Sequence, residues 1–201
     1  MKKIGIIVRS FEENGKWFVG CRKDVLDVLE DYSVNIILIP IYFSFEYIKS
    51  LLKLCDGVIL TGGNKFHPND FLLVQHLYNC DIPTLGICLG MQIMALFLGD
   101  GHEFDVSSIH QLKNNEGHNI YIKKGSLLYK IIGEDKISVN SRHYTGISST
   151  NLNVCAVSED NIIEAVEDPN KRFFLGLQWH PESLKDKKND LIFQNFIKSL
   201  I

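Results

Sequence analysis

The chain reads as an α/β protein with a mostly parallel central sheet, and three features of the sequence predict it. Short β-branched runs alternate with longer amphipathic stretches through the first half, the pattern of parallel strands joined by crossover helices. The runs are apolar at nearly every position, as in strands covered on both faces. Glycine-rich turns follow two of them, at Thr61-Gly62-Gly63 and around Cys88, at the strand ends where open α/β sheets place their sites. With 201 residues, 45% of them hydrophobic, a single domain over 1–201 is expected.

Ile4 to Val8 gives the first strand, ended by Arg9 and Ser10. A helix follows from Lys23 to Asp31, then a strand from Asn35 to Pro40. Ser44 caps a helix whose Phe45, Ile48, Leu51 and Leu52 share one face. Gly57 to Leu60 is the third strand, and Asn69 or Asp70 opens a helix reaching Tyr78. Pro83 to Ile87 leads through Cys88 into an apolar helix from Met91 to Leu98. The second half offers strands near 119–122, 136–139, 153–157, 162–166 and 173–178, which would complete the sheet antiparallel. Asp168-Pro169-Asn170 marks the hairpin between the last two. A closing helix runs from Lys188 to Leu200, turning Leu191, Phe193 and Phe196 or Ile197 to the core.

A net charge of −3 gives no electrostatic reason to expect nucleic acid or an anionic membrane surface as partner. Cys21, Cys55, Cys80, Cys88 and Cys155 are odd in number and lack a C-x-x-C pair, so neither a disulfide framework nor a zinc knuckle is indicated. Met1-Lys2-Lys3 and the apolar residues after it imitate a signal peptide, but the run stops too soon. No stretch approaches the roughly 20 apolar residues that span a bilayer. A soluble, cytoplasmic protein is expected.

Gly86-Ile87-Cys88-Leu89-Gly90 sets a nucleophile between glycines at a strand-to-helix junction. Side chains at the glycine positions would collide with backbone in so tight a turn. The helix beyond it would aim its first amides at the sulfur and favour thiolate. Cys21, Cys55, Cys80 and Cys155 lack such a frame and read as small buried hydrophobes. A cysteine nucleophile needs a histidine to accept and return its proton. Gln178-Trp179-His180-Pro181-Glu182 follows an apolar strand, and Pro181 forces a fixed turn that lets the Glu182 carboxylate reach the imidazole.

These segments together, Thr61-Gly62-Gly63, Gly86 to Gln92 and Gln178 to Glu182, resemble in order and spacing the class I, or triad, glutamine amidotransferase superfamily. The resemblance implies a flavodoxin-like three-layer sandwich and hydrolysis of a γ-glutamyl C–N amide bond through a thioester on Cys88. His180 and Glu182 would complete the triad. It also implies an oxyanion hole from the backbone of Leu89 and of Gly62-Gly63, with Gln92 beside the glutamyl pocket. No cofactor and no metal are implied, and a homodimer is compatible with it.

Val139-Asn140-Ser141-Arg142-His143 is similar to a segment of the γ-glutamyl hydrolase branch, which includes γ-glutamyl-γ-aminobutyrate hydrolases and is peptidase C26-like. By that likeness Asn140, Ser141, Arg142 and His143 would lie beside a small-molecule γ-glutamyl substrate. Leu89 keeps the amidotransferase pattern instead, and Thr145 stands where that branch usually has glutamine, so a relative with a different leaving group is expected. Convergence of two or more of Arg9, Lys65, His67 and Arg142 would suit an anionic leaving group, such as a nucleotide-linked phosphoramidate. The alternative is a glutaminase subunit passing ammonia to a synthase partner. A binding protein that merely kept the fold is disfavoured by the complete triad, and a metal enzyme by the spacing of His102, His110, His118 and His143.

Overall fold

In the computed structural model, which describes residues 1–112 and 117–200, five parallel strands form the middle of the molecule. These are β1 (Lys2–Glu13), β3 (Val34–Pro40), β4 (Gly57–Leu60), β5 (Thr84–Ile87) and β12 (Phe174–Leu177), in the order β3-β1-β4-β5-β12. Past β12 the sheet continues antiparallel through β11 (Ile163–Glu167), β10 (Asn153–Ser158), β7 (Gly117–Ile122) and β8 (Lys136–Asn140). The Asp168 turn closes the β11–β12 hairpin as expected, its carboxylate accepting from the Asn170 amide.

Helices cover both faces. Alpha-helices α1 (Lys23–Glu30), α5 (Leu127–Ile132) and α6 (Lys187–Ser199) pack on one side, and α2 (Phe45–Leu52), α3 (Asn69–Asn79) and α4 (Leu89–Leu96) on the other. Strand β1 shows why its run is apolar at every position: Ile4, Ile6 and Val8 enter the first core, and Ile7 enters the second. Each such side chain contributes about 1.5–3 kcal/mol on burial. Ile192, Phe193 and Phe196 are buried on α6, and Leu191 and Ile197 pack against them partly exposed. No helix of the described residues is long and apolar enough to cross a membrane.

Several elements escape the sequence reading. β1 does not stop at Ser10 but runs on to Glu13 and pairs with β2 (Lys16–Gly20). Asn14 and Gly15 make the turn with φ of 52° and 72°, the left-handed pair that a two-residue hairpin requires. β6 (His102–Asp105) and β9 (Thr145–Ser149) pair with each other at the margin of the sheet, where a mixed polar sequence carries little periodicity. α5 is too short for a periodic signal; Ser126 caps it and Gly133, at φ 80°, ends it.

Candidate active site

Cys88 sits between β5 and α4 with φ 52° and ψ −108°, a conformation that non-glycine residues rarely adopt. The helix begins at Leu89, two residues before the expected start, so the bend is as tight as a strand-to-helix turn allows. Both flanking glycines are sterically required. A Cβ on Gly86 would lie 2.9 Å from the Gly90 carbonyl carbon, and one on Gly90 would lie 2.3 Å from the Leu60 oxygen. The Cys88 amide donates to Leu177 O at 2.8 Å, which ties the bend to β12.

The same strand β12 delivers the histidine. Trp179 anchors the segment by burial and by an Nε1 bond to Asn189 Oδ1 at 3.0 Å. Pro181 then starts a short 3-10 turn, 181–183, and His180 Nδ1 meets Glu182 Oε1 at 2.7 Å. Burial alone would lower the His180 pKa. Hydrogen bonds to the Cys88 sulfur and to Glu182, together with their charges, outweigh it and hold the value up at about 9. The imidazole therefore keeps its proton at neutral pH and can deliver it to a leaving amine.

Cys88, His180 and Glu182 open onto one cavity of about 480 Å³, also lined by Gly62, Gly63, Arg9, Arg22 and Arg142. A Cβ on Gly62 would stand 3.2 Å from His180 Cε1 and 3.5 Å from Cys88 Cβ, so glycine brings this turn close to both side chains. Leu89 supplies a first-turn amide of α4, which the helical ladder leaves free. Of the charged loop residues, Arg9 and Arg142 reach the cavity, whereas Lys65 and His67 do not line it. Arg9 is bound by both oxygens of buried Asp70, at 2.6 and 3.0 Å.

Four of the residues expected beside the substrate have other partners. Gln92 is buried and donates to Thr145 O and Gln178 Oε1, away from the cavity. Asn140 grips the backbone of His180 from both sides, accepting from its N–H at 2.8 Å and donating to its carbonyl at 2.9 Å. Ser141 donates to His110 O, and His143 Nδ1 faces Thr145 O. Arg142 faces the cavity, while Asn140, Ser141 and His143 around it are sealed.

Sequence reasoning missed Arg22, carried into the cavity by the β1–β2 hairpin, and Gln178, whose Nε2 lies 3.8 Å from Cys88 Sγ. The Asn14-Gly15 pair was the available signal for the first; nothing distinguishes the second from the rest of its motif. Two cysteines also depart from expectation, for Cys80 is exposed and half-buried Cys21 borders the cavity. Burial and nearby Asp24 push the Cys21 thiol pKa up, which disfavours its thiolate. The histidine spacing likewise concealed a cluster, since His110, His118 and His143 all gather around Glu164.

An elbow cysteine at a strand-to-helix junction thus shares one cavity with a histidine–glutamate pair. Residues 69–182 match the model of the peptidase C26 family, and the chain belongs to that family, within the class I glutamine amidotransferase superfamily. It is 33% identical over 171 residues to a subunit of the glutamine-hydrolysing GMP synthase of Methanosphaera stadtmanae, covering 80% of this chain and 82% of that one. Similarity to the CTP synthase of Mycoplasma mycoides is 27% over 189 residues, or 76% of this chain and 36% of the relative. The fold matches the glutaminase domain of Trypanosoma brucei CTP synthase, solved with bound acivicin, with a TM-score of 0.77 at 20% identity over 98% and 94% of the two chains.

Proposed function

We propose that the protein is a γ-glutamyl hydrolase that cleaves a γ-glutamyl amide bearing an anionic leaving group, acting in the cytoplasm without a cofactor. The observation that carries this reading is the shared cavity, where Cys88 and the Glu182-bound His180 stand beside Arg22 and Arg142. Cys88 Sγ attacks the γ-carbonyl carbon, and the oxyanion is met by the amides of Leu89 and the Gly62-Gly63 turn. His180 gives its proton to the departing nitrogen as the C–N bond breaks, leaving a γ-glutamyl thioester. Water, deprotonated by His180, then attacks the thioester, releasing glutamate and restoring the cysteine.

The cationic side of the cavity supports the leaving-group assignment. Burial, then the charge of Arg22, push the Arg142 pKa down, with Glu182 and Asp24 offsetting only part of this. Arg142 Nε is also buried without a partner. An anion between the two guanidinium groups would relieve the repulsion and fill that donor, and a phosphorylated, nucleotide-linked amine is a leaving group of the right charge. Comparing turnover of γ-glutamyl amides with neutral and phosphorylated leaving groups tests it. Preference for the charged compounds, lost in Arg142→Ala and Arg22→Ala, is expected; equal rates reject the anionic assignment.

The second reading is a glutaminase subunit serving a synthase, favoured by the similarity to the Methanosphaera stadtmanae GMP synthase. It requires glutamine turnover that is weak alone and stimulated by a partner. Rapid partner-free cleavage of larger γ-glutamyl amides, with negligible ammonia release from glutamine, separates the two.

A further inference from the structure

We propose that His110, His143 and Glu164 bind one divalent transition-metal ion of the zinc class, bracing the wall behind the candidate active site. Glu164 is fully buried on β11, and three imidazoles face its Oε1: His118 Nε2 at 3.1 Å, His110 Nδ1 at 3.7 Å and His143 Nε2 at 3.7 Å. The outward contacts set the tautomers. His143 Nδ1 lies 2.8 Å from Thr145 O, which can only accept, so Nδ1 carries the proton. In the neutral ring, Nε2 is then a lone pair aimed at the carboxylate, and it has no hydrogen-bond partner. His110 Nε2 lies 3.0 Å from the Asp160 carboxylate, which leaves its Nδ1 as the inward lone pair. Glu164 Oε2 is also buried and unpartnered.

Two nitrogen lone pairs and a carboxylate thus converge in a sealed space, an arrangement that calls for a cation among them. The donor atoms all lie within 4.8 Å of one another. Zinc bonds of about 2.0–2.2 Å set neighbouring ligands of a tetrahedron roughly 3.3–3.6 Å apart, so the two 3.7 Å separations need only a small contraction. Two histidines and a glutamate are a known zinc donor set, and a carboxylate or carbonyl on the outer ring nitrogen is the support such ligands receive. His118 Nε2, 3.1 Å from the same Oε1, would donate to that oxygen and hold it in place. Ser141 Oγ, 3.4 Å from His110 Nδ1, borders the position left for water.

The ion would stiffen the segment that carries Asn140 and Arg142, since His143 follows them directly and Gln178 N bonds Glu164 O at 2.8 Å. A Cys88→Ser background, which removes the thiol as a competing ligand, is the protein to use. After dialysis against chelator, titration with Co²⁺ is expected to give the strong visible absorption of tetrahedral cobalt at one ion per chain, and Zn²⁺ to raise Tm. His143→Gln in the same background should lose both with an unchanged far-UV circular dichroism spectrum. Asp160→Asn, which keeps all three ligands, should bind about 10–100-fold more weakly. Cobalt absorption no different from that of His143→Gln, or a Tm indifferent to Zn²⁺, overturns the proposal and leaves a proton on the imidazoles as the compensating charge.

Discussion

Among the described residues, two buried histidine–carboxylate assemblies lie only one strand apart, and they differ in what lies on the far side of the imidazole. His180 meets Glu182 at 2.7 Å and turns its other edge to Cys88 and an open cavity. His118 and His143 face Glu164, and the rings of His110 and His143 are sealed among β-strands. The residue types match, so they do not decide what each assembly does. A cysteine at positive φ within reach and an open cavity are what the first has and the second lacks. The same pairing can therefore move a proton in one place and hold strands together in another.

Removing the nucleophile is the most severe way to probe the difference. Cys88→Ala is expected to reduce turnover of γ-glutamyl substrate by roughly 10⁴-fold or more, and Glu182→Gln by about 10²–10⁴-fold, in steady-state assays of folded protein. Alkylation with a thiol reagent must be followed as a rate, because exposed Cys80 will also react. In the other assembly, Glu164→Gln should lower unfolding free energy by about 3–5 kcal/mol in denaturant melts, as breaking a buried ionic arrangement does. Its remaining folded fraction should keep near-normal kcat. A catalytic collapse in folded Glu164→Gln would erase the distinction.

Acid and alkali should separate the assemblies. The folded pKa of His180, about 9, lies above the ordinary 6.5, so its contribution to stability is complete below that ordinary value and is lost as pH rises through 9. Protonation of the leaving amine fails over the same range, and the rate should fall about tenfold per pH unit above 9. Glu164 behaves oppositely. Burial would raise its pKa, but the hydrogen bond from His118 and the nearby imidazoles of His118 and His143 bring it below the ordinary carboxylate value. Its contribution is present above that value and disappears as pH falls through the lowered one. Paired melting and rate profiles test both limits; an alkaline rate limit that followed the loss of fold would make His180 merely structural.

The two assemblies were unequally legible in the sequence. His180 and Glu182 are two residues apart in a segment pinned by Trp179 and Pro181, so local geometry alone brings them together. Cys88 was visible through its glycines, whose steric purpose is local as well. His110, His118, His143 and Glu164 come from four separate segments of the chain, and the antiparallel half of the sheet assembles them. The strands of the parallel centre announced themselves by continuous apolar runs, whereas β6 and β9 are short and partly exposed, with no period to detect. For Gln92, Asn140, Ser141 and His143, a likeness of motif located the neighbourhood and not the direction of each side chain, which bonds to Gln178, His180, His110 and Thr145 set.

The smallest expected effect falls on Asn140, which stands between the two assemblies. Its side chain holds the backbone of His180 at both N–H and carbonyl and touches neither the ring nor the sulfur in any hydrogen bond among the described residues. Asn140→Ala should cost about 1–3 kcal/mol of stability, because it leaves the buried His180 N–H unpaired, while the carbonyl keeps the Ser183 amide at 3.2 Å. The kcat should fall about tenfold as the imidazole loses its fixed position, while KM changes little. The alkaline limb of the rate profile should stay near pH 9, since the hydrogen bonds to Cys88 and Glu182 that hold the His180 proton are intact. Glu182→Gln should move that limb to lower pH. If Asn140→Ala moved it as well, backbone placement and proton affinity would be one property at this histidine, and position could not be tuned apart from charge.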